Sequence, residues 1–216
     1  MKRPLLFRCI FIFIILYGYS FSAFSQVWYA RYAAALAWQP FALLKLEVTP
    51  EIHLRHFQEP AEWMVDAGLE YQVFSFLELG GSARLNNELK QDGSLYTMRY
   101  SLDAVLEGEV NRVEADLRLR FSNYAEYEED VSLNQAFRTR FKVGYNIPDW
   151  KADPEVFIEY FFNPEDYSPT KIRFGGQFDW NLPSRNRLKI GYFYQYYTAK
   201  AKFLNVLDVT WGYRFK

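Results

Sequence analysis

From Leu43 onward, apolar and polar residues alternate along almost the whole chain. Leu44, Leu46, Val48, Ile52 and Leu54 fall on one face of an extended segment, and Lys45, Glu47, Thr49, Glu51, His53 and Arg55 on the other. A period of two is that of a β-strand whose two faces meet different surroundings. The pattern returns with Trp63, Val65, Ala67, Leu69 and Tyr71 against Asp66, Gly68, Glu70 and Gln72, and again with Leu77, Leu79, Ala83 and Leu85 against Glu78, Ser82, Arg84 and Asn86. Tyr96 to Gly108 and Arg112 to Ser122 predict a hairpin. Further strands are expected over Leu133 to Tyr145, Pro154 to Phe162, Ile172 to Leu182, Arg187 to Tyr197 and Leu207 to Phe215. The total is about ten strands, or twelve if Val27 to Trp38 also spans and one more strand is present. The role of Val27 to Trp38 is left open: Trp28, Ala30, Tyr32, Ala34, Leu36 and Trp38 share a face, but the other face is mostly alanine with one charge.

Connection lengths alternate as well. Short turns are expected near Val73-Phe74-Ser75, Val110-Asn111, Asn146-Ile147-Pro148 and Pro183-Ser184-Arg185. Longer polar loops are expected over Phe57 to Glu62, Asn87 to Ser94, Asn123 to Ser132, Asn163 to Thr170 and Thr198 to Asn205. Bacterial membrane barrels have short periplasmic and long external connections, which assigns these loops to the outside. With ten strands counted from the C-terminus, the barrel would begin on the periplasmic side. Val27 to Trp38 breaks that parity.

Composition narrows the class. Half of the 216 residues are hydrophobic and 20% aromatic, yet the mean hydropathy is -0.25, as interleaving requires. No stretch outside the N-terminus approaches the roughly 20 apolar residues of a membrane-spanning helix, so any spanning structure must be a closed barrel. The 25 basic and 26 acidic residues nearly cancel, which gives no nucleic-acid footprint. Residues 1–25 read as a cleaved secretory signal: Lys2 and Arg3, an apolar stretch from Leu5 to Tyr17 interrupted by Arg8, and Ala23-Phe24-Ser25 before Gln26. Residues 26–42 would form an N-terminal segment and 43–216 the barrel. The only cysteine, Cys9, falls in the signal, so no thiol chemistry is expected of the mature chain. A soluble, secreted antiparallel barrel or sandwich is the competing reading. Strands of about 9 to 13 residues, a heavily charged second face and aromatics at both ends of the apolar faces favour a Gram-negative outer membrane.

The segments Ala67-Gly68-Leu69-Glu70-Tyr71, Phe137-Arg138-Thr139-Arg140-Phe141-Lys142, Gly144-Tyr145-Asn146 and Arg187-Leu188-Lys189-Ile190-Gly191-Tyr192 resemble the family called domain of unknown function 2490. The resemblance runs from about Leu43 to Phe215 and implies a small outer-membrane barrel, while lending no activity and no functional residue. The terminal Trp211-Gly212-Tyr213-Arg214-Phe215 is similar to the aromatic signal read by the barrel-assembly machinery, with Lys216 as a departure from it. Expected partners are that machinery, through Trp211, Tyr213 and Phe215, and outer-membrane lipid.

The candidate chemistry is on the charged face. A narrow lumen forces long side chains of opposite sign to meet, and the turn positions pair Asp103 with Arg118, Lys142 with Glu155, Arg138 with Glu159, and Asp179 with Lys189 across neighbouring strands. Arg138, Arg140 and Lys142 form a basic row beside the acidic row of Glu155 and Glu159. Such a network would fill and stabilise the lumen; the alternative is a narrow, charge-selective path for small solutes. An enzyme is not expected, and no cofactor, with an outer-membrane hydrolase kept only as an alternative reading. The only histidines are His53, between Glu51 and Arg55, and His56, beside a loop, and neither has a nucleophile pattern around it. Glu126, Glu128, Glu129 and Asp130 could hold calcium but read as a solvated loop. Loops rich in Tyr124, Tyr127 and Tyr167 leave adhesion or partner binding as a further class.

Overall fold

The computed structural model describes residues 27–90, 93–126, 134–148, 150–198 and 201–215. The expected signal segment and Glu128, Glu129 and Asp130 of the acidic run lie outside these residues. Eleven strands form one closed barrel: β1 (Val27–Phe41), β2 (Leu44–Arg55), β3 (Glu59–Phe74), β4 (Leu77–Lys90), β5 (Gly93–Val110), β6 (Val113–Glu126), β7 (Asn134–Tyr145), β8 (Ala152–Phe162), β9 (Pro169–Asn181), β10 (Asn186–Tyr197) and β11 (Lys202–Arg214). Consecutive strands pair antiparallel. The barrel closes through a parallel seam between β1 and β11, from Val27 opposite Leu204 to Ala37 opposite Arg214.

The segment whose role the sequence left open is thus the strand that completes the wall, and the count falls between ten and twelve. An odd count explains the seam. Each hairpin reverses the chain, so the eleventh strand runs the same way as the first, and only a parallel ladder can join them. It also reverses one expectation: the start of β1 sits beside Leu204, at the end of the barrel that carries the longer loops, rather than at the short-turn end.

The outer wall is apolar and the lumen polar. Leu102 on the outer face is 68% exposed and Val156 61%, whereas the inward carboxylates Asp179 and Glu159 are 2% and 4% exposed. This inverts the burial order of a water-soluble barrel, whose apolar residues fill the inside.

Several connections are tighter than the polar runs suggest. β2 and β3 are joined by His56, Phe57 and Gln58, the first two at φ 49° and 65°, and Glu59 to Glu62 continue the ladder. β4 extends to Lys90 and β5 starts at Gly93, so most of the expected Asn87 to Ser94 loop is strand. Asn87 is buried, but Glu88 to Lys90, Gly93 and Ser94 are exposed, so polar residues can prolong the extension and still resemble a loop in sequence. At the other end, β5 turns into β6 through Asn111 and Arg112, with Asn111 at φ 58°, a left-handed conformation that asparagine tolerates.

Candidate functional site: the lumen

Strand parity turns alternate residues inward, where carboxylates and cations meet. On β5 and β6, Arg120 donates to Asp103 from Nε (2.6 Å) and Nη2 (2.7 Å), while Arg118 Nε donates to the same carboxylate at 2.8 Å. Asp66 on β3 accepts from Arg84 Nε at 2.7 Å and faces Arg99 Nη2 at 3.6 Å. Lys142 on β7 lies between Asp116 at 3.0 Å and Glu155 at 2.9 Å, and Arg140 reaches Asp116 at 3.3 Å. Glu159 on β8 is shared by Arg138 at 3.3 Å and Arg173 at 3.2 Å. Asp179 on β9 takes a two-point contact from Arg187 and has Lys189 at 3.4 Å. At the turn end Lys45 joins Glu47 and Glu70, both at 2.8 Å.

The four predicted pairs all come into contact, but three by a route other than the one expected. Only Asp179 and Lys189 are register partners. Asp103 faces Arg120, Glu155 faces Gly144, and Glu159 faces Arg140, so Arg118, Lys142 and Arg138 reach their carboxylates diagonally. For Asp103 the reason is that the β5–β6 turn is Asn111-Arg112 rather than Val110-Asn111, which moves every partner along β6 by two residues. Long basic side chains absorb such a shift. Three further cations, none given a partner from sequence, also face the lumen. Arg31 on β1 pairs with Asp208 across the seam, donating from Nε at 2.9 Å. Arg187 stands at the expected start of its strand and Lys171 one residue ahead of the expected start of its own, and parity with Lys189 and Arg173 would have assigned both to the lumen.

A second kind of inner wall flanks the seam. Phe157, Phe161 and Phe193 share parity with the charged residues of their strands, and Phe193, Leu204 and Val206 form a buried cluster joined by Val27, Tyr29, Phe157 and Tyr197. Gly175 of β9 stands between Phe157 and Phe193 in register, and their rings meet over it at 6.2 Å, edge to face. Glycine is required there: a Cβ would overlap the Tyr192 carbonyl and sit 2.5 Å from Phe193 Cβ. Aromatic rings folded over a bare glycine supply the contact its missing side chain cannot. The ring of Phe161 is approached by three cations, Lys171 Nζ at 4.0 Å, Arg173 at 4.9 Å and Arg138 at 5.6 Å from its centroid. Phe193 takes Arg31 at 5.3 Å and Arg173 at 5.2 Å.

Between these walls is a cavity of about 940 Å³. Arg185, Asn186 and Arg214 line it at the short-turn rim, and His53, Phe161 and Lys171 mark how far it extends toward the loop end. The alanine face of β1 contributes Ala33, Ala35 and Ala37, whose small side chains leave this space unfilled. His53 has both ring nitrogens on carboxylates, Nδ1 2.8 Å from Glu62 and Nε2 against Glu51. His56 is exposed in the β2–β3 turn.

Residues 26–205 match the family described as "Protein of unknown function (DUF2490)". The chain belongs to this family. The DUF2490 match starts just ahead of β1 and so includes the seam strand, which the resemblance read from sequence left out; it ends at Asn205, early in β11. Among solved structures, this DUF2490 barrel is similar to the β domain of the Bordetella autotransporter BrkA, at 14% identity and a TM-score of 0.50 over 81% of this chain and 82% of that one. The likeness is one of fold. Among curated proteins, none matches the sequence.

Proposed function

We propose that this DUF2490 protein spans the outer membrane of a Gram-negative cell as a barrel that is shut toward the outside and holds a charged vestibule open to the periplasm. The inverted burial carries the membrane part of this reading: an outer face of exposed leucine, valine and aromatic side chains around a polar lumen is stable only in lipid. Short turns set the periplasmic end, which is where Arg185 and Arg214 line the mouth of the cavity. The seam-side cluster of Tyr29, Tyr197, Leu204 and Val206 fills the lumen toward the loop end. In this reading the carboxylate–cation contacts brace the wall. His53 ties β2 to β3 through Glu51 and Glu62, and no enzymatic step is assigned. Trp211, Tyr213 and Phe215 form a continuous outward aromatic row, with Trp211 and Tyr213 at 6.2 Å and Tyr213 and Phe215 at 4.9 Å, suited to the assembly machinery that receives C-terminal strands.

Planar-bilayer recording of the folded mature chain tests the closed lumen. The native barrel should be silent, and Phe161→Ala, which removes the ring beneath Lys171, Arg138 and Arg173, should produce discrete conductance steps. Steady conductance of the native protein would overturn the closure and make the vestibule part of an open pore.

A further inference from the structure

Two register rows cross the inner wall from β6 to β9 near the blind end of the cavity. One runs Arg120, Arg138, Phe161, Lys171, and the next Arg118, Arg140, Glu159, Arg173. Six cations stand in these rows beside one carboxylate, Glu159. Asp103 from β5 occupies Arg118 and Arg120, and Asp116 reaches Arg140 but is shared with Lys142. Among the described residues, no carboxylate lies within salt-bridge range of Lys171 Nζ, which stands over the faces of Phe161 and Tyr197. The Nε atoms of Arg138 and Arg140 are buried without a hydrogen-bond partner, although Arg138 Nε has Glu159 Oε1 at 3.3 Å. Buried donors are normally satisfied, and like charges crowded in one wall repel unless an anion lies among them.

We propose that this end of the vestibule is a binding site for a small multivalent oxyanion, the phosphate group of a solute that enters from the periplasm. Guanidinium forks match the oxygens of a tetrahedral phosphate, and the lysine adds a point charge beside them. Two charges on the ligand suit the site better than one, because Lys171 has no carboxylate beside it, Arg138 and Arg173 share the single Glu159, and the Nε donors of Arg138 and Arg140 lack a hydrogen bond. All six cations line the cavity, so a solute reaching it from the turn end meets them directly. The site depends on the proposed periplasmic opening for its access.

The test is isothermal titration calorimetry of the folded, full mature barrel in uncharged detergent, at fixed ionic strength, with inorganic phosphate, glycerol phosphate and chloride as probes. Saturable binding of phosphate but not of chloride is expected. Lys171→Met and Arg138→Gln should each weaken it about tenfold, as the loss of one charged hydrogen-bonding partner does. Lys45→Met, which removes the same charge from the turn end of the lumen, should change it less than about twofold. Tighter binding of glycerol phosphate than of phosphate would assign the site to organic esters; equal binding assigns it to the free oxyanion. Absence of saturable binding to the native barrel overturns the site whether or not the variants fold, and so does an equal loss in Lys45→Met. A conducting native barrel would remove the closed lumen and leave the binding result intact, whereas a silent barrel that takes up no phosphate removes the site alone.

Discussion

The inner surface has two unlike halves. From β3 to β6 the cations have carboxylate partners: Arg84 and Arg99 share Asp66, Arg118 and Arg120 share Asp103, and Ser101 and Ser122 hydrogen-bond beside them at 2.8 Å. From β8 through β11 to β1 the inward positions include Phe157, Phe161 and Phe193 beside the charges, and Arg31, Lys171 and Arg173, with Arg138 of the neighbouring β7, rest on ring faces. An ion pair neutralises its cation. A ring face attracts it by roughly 0.5–2 kcal/mol and leaves the charge in place. The first half therefore holds its cations on carboxylates alone, whereas the second adds ring faces to its ion pairs and, among the described residues, leaves Lys171 on rings without a carboxylate.

The largest test of this contrast is Asp103→Ala. It strands two guanidinium groups in the paired half and should lower stability by about 3–5 kcal/mol. The check is the urea midpoint of the barrel folded in lipid vesicles; an unchanged midpoint would mean that water, rather than Asp103, carries Arg118 and Arg120. Next comes Gly175→Ala in the aromatic half, where the added Cβ meets Phe193 at 2.5 Å and should cost about 1–3 kcal/mol by the same measurement. If this variant keeps native stability, the Phe157–Phe193 contact is loose, and the two halves differ in charge but not in rigidity. The smallest effect is expected at a turn outside both halves: Asn111→Ala, at φ 58°, should cost about 1 kcal/mol, and Asn111→Gly close to nothing.

The wall was legible in sequence because one face of every strand has to meet a uniform surrounding, so Leu44 to Leu54 and Leu77 to Leu85 keep their alternation across Pro50 and Gly81. The seam strand was harder to read. Its inner face, Ala33, Ala35 and Ala37, borders empty space, and a position facing a cavity is under no pressure to be either polar or large. The charged contacts were legible as a population but not as a register, since a turn displaced by one residue moves partners by two and long side chains hide the error. Least legible was the aromatic half: Phe157 and Phe161 sit among carboxylates at the same parity, where periodicity alone takes them for exceptions. Their partner, Gly175, is recognisable only once β8, β9 and β10 are aligned.

The parallel seam also gives the two ends of the wall separate addresses. Val27 is at the loop rim and Arg214 at the turn rim, a full barrel height apart, whereas an even-stranded barrel would put both ends on one side. In the proposed orientation, a peptide spliced ahead of Val27 is presented to the medium while one joined after Arg214 stays in the cell envelope. The same fifteen-residue strand that closes the wall thereby makes it a two-sided mount.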